Sequence, residues 1–127
     1  MLYSFEKLDV YQLSLELVGK VYRLIAKFPS EERYVLCDQL RRSVISVPSN
    51  IAEQSGRTSY KERIHFLEIA YGSLFEAFCQ LDIASRLGYI SKEDLDQLRQ
   101  EVLVISRKLY NLKYRLNQDL TNKSATP

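Results

Sequence analysis

The sequence has no tryptophan, one histidine, two cysteines, three prolines and four glycines in 127 residues. Each scarcity removes a class. So few glycines and prolines leave little material for the many tight turns of an all-β fold. Two cysteines cannot make a disulfide framework, and Cys37 and Cys79 both lie in apolar-periodic segments, where buried free thiols are common in cytosolic proteins. A single histidine leaves no second Glu-x-x-His pair for a di-metal bundle site. No apolar run approaches the length of a membrane span. The opening MLYSFEKLDV carries acids where a signal peptide has a basic start and an apolar core. A cytoplasmic protein with no membrane partner is expected. The net charge of +2 is too small to argue for a nucleic-acid partner by itself.

What is present is helical. Hydrophobic residues make up 46% and charged residues 27%, a globular balance in a chain long enough for one core. In the first segment Val10, Leu13, Leu17, Val21, Leu24 and Phe28 step by three and four, with Tyr11, Leu15, Val18, Tyr22 and Ile25 beside them. That arc is broad enough for more than one neighbour. Phe28-Pro29 ends it. The second segment, with Ser30 as N-cap, buries Leu36, Leu40, Val44, Val47 and Ile51 and runs to Gly56. Pro48 lies within its stripe, which crosses the proline in register. This favours one bent helix over two helices split by a loop. Ser43, Ser46, Ser49 and Asn50 surround the proline and are placed to satisfy freed backbone groups.

The third segment opens on a capping-box pattern, Ser59 to Glu62. Ile64, Leu67, Tyr71, Leu74, Phe78, Leu81 and Ser85 make its seam, and Ala70, Ser73, Ala77 and Ala84 a stripe of small side chains open to another helix. Gly88 follows as a natural C′ residue. The fourth segment opens at Ser91 and carries Leu95, Leu98, Val102, Ile105, Leu109, Leu112 and Leu116. The expected fold is all-α, an antiparallel up-down-up-down four-helix bundle with a proline-bent second helix. The bundle spans 1–117, with helices near 6–28, 31–56, 60–87 and 92–117, and a frayed or disordered tail covers 118–127.

Chemistry is sparse. Glu62 and His65 have the spacing of a metal-ligand pair but flank core position Ile64 and lack a partner set, so no metal is expected. GSLFEAF is not a phosphate loop, neither cysteine has an activating base nearby, and no cofactor or enzymatic activity is implied. Charge is more informative. Residues 66–98 carry two basic and six acidic side chains, and residues 99–127 six basic and two acidic. Arg41, Arg42, Arg57, Lys61 and Arg63 gather late in the second helix and early in the third, where a phosphate can be held. Arg107, Lys108, Lys113 and Arg115 form a second patch. The alternative is structural, with Glu53 and Glu76 pairing with Arg42 and Arg57.

The run FPSEERYVLCDQLRRSVISVPSNIAEQSGR resembles the signature of the 23S rRNA-intervening-sequence family of bacterial four-helix-bundle proteins. It is carried by Phe28, Pro29, Glu32, Tyr34, Leu36, Gln39, Arg41, Arg42, Ser46, Pro48, Asn50, Ile51, Ala52, Glu53 and Arg57. FLEIAYGSLFEAFCQLDIASRLGYIS resembles the second block of that family, through Phe66, Leu67, Ala70, Gly72, Ser73, Glu76, Gln80, Leu81, Leu87 and Gly88. The resemblance covers residues 5–115. Val47 stands where isoleucine is usual and Gln54 where glycine is usual, with Gly56 the candidate to take over that role. The resemblance implies a ring-like homopentamer, a relation to accessory proteins of diversity-generating retroelements, and RNA or DNA and a reverse transcriptase as partners. The expected function is a non-enzymatic oligomer binding RNA or DNA non-specifically through its basic surface. The alternative is a protein-interaction scaffold or reverse-transcriptase accessory subunit whose arginines are structural.

Overall fold

A computed structural model describes residues 1–125, with side chains as far as Asn122. Four α-helices make up the fold: α1 Asp9–Ile25, α2 Leu36–Ser55, α3 Tyr60–Arg86 and α4 Lys92–Ala125. Short 3-10 turns at Ser4–Lys7 and Ser30–Glu32 precede α1 and α2, and no strand occurs among the described residues. Consecutive helices pack together, α2 against α3 most extensively, and α1 also meets α4.

The core is the meeting of four seams. Leu40, Val44, Val47 and Ile51 of α2 are fully buried, and Pro48 is buried among them inside one uninterrupted helix. The proline withholds the N–H that the Val44 carbonyl would otherwise receive. The neighbouring polar side chains bond elsewhere. Asn50 donates to the Ser46 carbonyl at 2.7 Å, and Ser43 bonds back to the Leu40 carbonyl at 3.3 Å. In α4, Leu95, Leu98, Val102, Ile105, Leu109 and Leu116 are buried, and Leu112 packs against the core from the edge.

Several sequence expectations need correction. Ser30 does not cap α2. It opens the 3-10 turn, and α2 starts at Leu36 behind Val35, because Phe28 and Leu36 both turn inward and the residues between them must cross the end of the bundle. The small-residue stripe of α3 does receive another helix, but one of this chain and not of a neighbouring subunit. Ala70, Ala77 and Ala84 are at most 1% exposed and lie inside the bundle, so they let another helix of this chain approach closely. Tyr71, expected in the seam, is instead exposed, and so is Cys79. The fourth helix does not stop at 117 but runs to Ala125. Leu120 continues the four-residue step of Leu112 and Leu116 and packs against the core, and no glycine or proline intervenes. Of the expected tail, Thr126 and Pro127 lie outside the described residues.

Helix ends follow local chemistry. The Ser59 hydroxyl accepts from the Glu62 amide at 3.4 Å, which is one arm of the expected capping box, and Ser91 accepts from Asp94 at 3.1 Å. Gly88 has φ +84°, and the Tyr89 and Gly88 amides donate to the carbonyls of Ala84 and Ser85. That is a Schellman close, which a side chain at position 88 would strain. Gly56, with φ −89°, holds no conformation that requires glycine.

Candidate nucleic-acid interface

The first basic cluster is largely occupied by its own neighbours. Arg42 pairs with Asp38 at 3.2 Å, one turn away, and not with Glu53 or Glu76. Arg57 forms an ion pair with Glu53 and lies over the Phe66 ring, 4.7 Å from its centroid. Arg41 donates to the Arg33 carbonyl at 3.4 Å. Arg63 donates through Nε to the buried Gln54 amide oxygen at 3.1 Å and reaches over Tyr60. Lys61 is exposed and has no ion-pair partner among the described residues. Glu76 accepts from Gln80 at 3.3 Å. The Arg42 and Arg57 pairs follow from spacing, each with an acid four residues away on its own helix, while Arg63 bonds across to α2.

Gln54 occupies a place of its own. It is 1% exposed at the end of α2, where the resemblance expects glycine. Its amide fills the space beside α3 and turns Arg63 toward the bundle. A second buried polar group, Gln80 of α3, accepts from the Ser43 hydroxyl at 2.7 Å, and Ser46 meets Ser73 at 2.8 Å. These bonds cross the α2–α3 seam in line with its alanines.

The second patch, on α4, is different. From Val102 to Gln118 the helix carries Arg107, Lys108, Lys113 and Arg115 and not one carboxylate. Lys108 reaches Asp9 at the start of α1, and Lys113 lies 3.8 Å from Glu68 of α3. Arg107 and Arg115 are exposed and have no ion-pair partner among the described residues. On the side of α4 away from its leucine seam, Tyr110 and Tyr114 stand 54% and 53% exposed. Their rings are 6.4 Å apart and 21° from parallel. Tyr71 and Phe75 of α3 line a cleft beside Tyr110 with Leu103 and Arg107. By residue type alone nothing singled these two rings out from the other tyrosines, which suit bundle and interface positions. The signal was Arg107, Tyr110 and Tyr114 stepping by three and four opposite the Ile105–Leu109–Leu112–Leu116 seam.

Elsewhere the chemistry is quiet. Burial pushes the Cys37 thiol up from its ordinary pKa, against the lowering influence of Arg41. The hydrogen bond to Glu32, 2.9 Å long, raises Tyr89. Glu62 and His65 are both exposed, and no three of His, Cys, Asp and Glu gather as a metal would need among the described residues.

A family model for the 23S rRNA-intervening sequence protein matches residues 6–111. The chain belongs to that family. A solved relative is a protein with unknown function from the S23 ribosomal protein family of Bacteroides thetaiotaomicron VPI-5482. It superposes with a TM-score of 0.76 at 25% identity, over 83% of this chain and 95% of the other. No curated protein matches. The family match takes in all of α1, α2 and α3 and ends at Asn111, so Arg107 and Tyr110 fall inside it while Tyr114 and Arg115 lie beyond. No helix among the described residues of this intervening-sequence protein is long and apolar enough to cross a membrane.

Proposed function

We propose that this protein is a non-enzymatic, self-associating bundle of the bacterial cytoplasm that holds nucleic acid by its phosphate backbone, chiefly along α4. The observation that carries this reading is the stretch from Val102 to Gln118, four cations without a carboxylate on a surface-lying helix. Asp9 and Glu68 pair with Lys108 and Lys113, which leaves Arg107 and Arg115 as the cations that would attract a polyanion whatever its sequence. Arg41, Arg42, Arg57 and Arg63 are held by their own neighbours and act first as structure. Lys61 remains available beside them. An up-down-up-down course is part of this reading, supported by the contact of the Phe28 and Tyr89 rings, 5.3 Å apart, between the α1–α2 and α3–α4 connections. A bend at Pro48 belongs to the same picture, wrapping α2 around the core.

Self-association, as the homopentamer the resemblance implies, is supported by apolar side chains away from α4. Leu15 and Tyr22 of α1, Ile45 of α2, and Ile69 and Ile83 of α3 are all exposed. A protein scaffold, with a reverse transcriptase or another protein as partner, is the second reading, favoured by the Arg42–Asp38 and Arg57–Glu53 pairs.

The test is binding of a labelled oligonucleotide across a salt series. Affinity should fall steeply with salt, and the double substitution Arg107→Gln, Arg115→Gln should lower the slope by about 1.5. Retention of no nucleic acid at low salt overturns the reading in favour of the scaffold. Light scattering that returns a 14.8 kDa monomer overturns self-association.

A further inference from the structure

We infer that the outer face of α4 is a platform for single-stranded nucleic acid, with bases stacking on Tyr110 and Tyr114 and phosphates held by Arg107 and Arg115. This rests on the nucleic-acid reading above and adds the strand form and the side chains that select it. Phosphate contacts alone need no aromatic residues. Yet both rings are more than half exposed, on the side of α4 away from its buried leucine seam. Their planes are 21° from parallel, so together they offer faces along the helix rather than a single edge. Arg107 and Arg115 lie eight positions apart, about 12 Å along the axis, and bracket the two rings. An open strand exposes both what the rings recognise and what the arginines recognise. In a duplex the base faces are already stacked and only the phosphates remain available.

The surroundings agree with this occupant. The cleft on one side of the rings is lined by Tyr71, Phe75 and Leu103, which gives a displaced base further apolar surface. The cleft on the other side is mixed: Leu8, Val10 and Leu112 line its floor, Lys108 is paired there with Asp9, and Arg115, beside Tyr114, is the cation left to meet a phosphate. A second copy meeting this face through its own α4 would set like charges against each other, with no carboxylate between residues 102 and 118 to relieve them. Charge complementarity therefore selects a polyanion over an α4-to-α4 contact between copies.

The experiment compares a labelled single strand of mixed pyrimidines with a duplex of the same length by fluorescence anisotropy. It uses the full chain, the double variant Tyr110→Ser, Tyr114→Ser and the double variant Tyr110→Phe, Tyr114→Phe. The unaltered protein should prefer the single strand. The serine variant should lose about tenfold or more on the single strand and little on the duplex, with its salt slope unchanged. The phenylalanine variant should bind as the parent does, since the ring and not the hydroxyl does the stacking. Helicity and oligomer mass are measured on each variant. Equal affinity of the parent for both forms, or serine and phenylalanine variants that bind alike, overturns the platform while leaving backbone binding intact. Loss of oligomer mass in the serine variant, with single-strand affinity falling only in step, also overturns it and assigns the face to self-association. Absence of binding to either form at low salt removes the nucleic-acid reading itself.

Discussion

Replacing Gln54 by glycine, the residue the family resemblance expects there, should destabilise this protein. Gln54 is 1% exposed, so the change removes two buried methylenes, each contributing about 0.8 kcal/mol. It also removes the acceptor of the 3.1 Å bond from Arg63, which we set at ~1 kcal/mol because Arg63 is only half buried. Relief of the desolvated amide returns a fraction, and the net expectation is a loss of about 2 kcal/mol. For a chain of this size that lowers the melting temperature by about 8 °C. Urea and thermal unfolding followed by far-UV circular dichroism, at matched protein concentration, would measure it. An Arg63→Met variant completes a double-mutant cycle, with an expected coupling of ~1 kcal/mol. A Gln54→Gly protein as stable as its parent, or zero coupling, would refute the reasoning and release Arg63 for other partners.

Other predictions follow from the same packing. Ala77→Leu places a large side chain at a position 1% exposed between helices and should cost about 1–3 kcal/mol in urea unfolding; an unchanged midpoint would return the small-residue stripe to the surface. Ellman's reagent should label Cys79 rapidly in the native state and Cys37 only on denaturation, because one thiol is exposed and the other buried. The raised Cys37 pKa means the folded form keeps a proton that the unfolded chain releases first. Its contribution is therefore fully present below the unfolded thiol pKa and lost as pH rises through the folded value. Cys37→Ser should flatten that alkaline decline, and an identical pH–stability curve would contradict it. Truncation after residue 117 removes Leu120 from the edge of the core and should cost about 1 kcal/mol, read as a lower urea midpoint.

The helices were legible because their seams are nearly unbroken. Leu40, Val44, Val47 and Ile51 are all buried, and the register survives Pro48, as the spacing alone indicates. Termini were less legible. Ser30 looks like a cap, but burial of Phe28 and Leu36 sets where the chain can start a helix, and that is a tertiary constraint. The α3 stripes show the limit of periodicity. Spacing marks Ala70, Ala77 and Ala84 as one face but cannot say whether the approaching helix belongs to the same chain. The arginines divide similarly. An i,i+4 acid for Arg42 and Arg57 can be read in one dimension, while the Arg63–Gln54 bond between α2 and α3 cannot. The spacing of the α4 rings sets them opposite the leucine seam, but that both tyrosines stay more than half exposed is a tertiary fact.

The α2–α3 seam has a consequence for the order of folding. Its alanine contacts and its Ser43–Gln80 and Ser46–Ser73 bonds all lie within the contiguous stretch from Leu36 to Arg86, joined by a turn of a few residues. These bonds span 37 and 27 residues within one helical hairpin and cost less loop entropy than the contacts that tie α1 to α4. On the ribosome this hairpin can close as soon as Arg86 has emerged, with its polar bonds already fixing how far one helix may slide along the other. Helix α1, made first, must wait for α4 to cover its remaining apolar side. The oldest part of the chain is thus among the last to be finished.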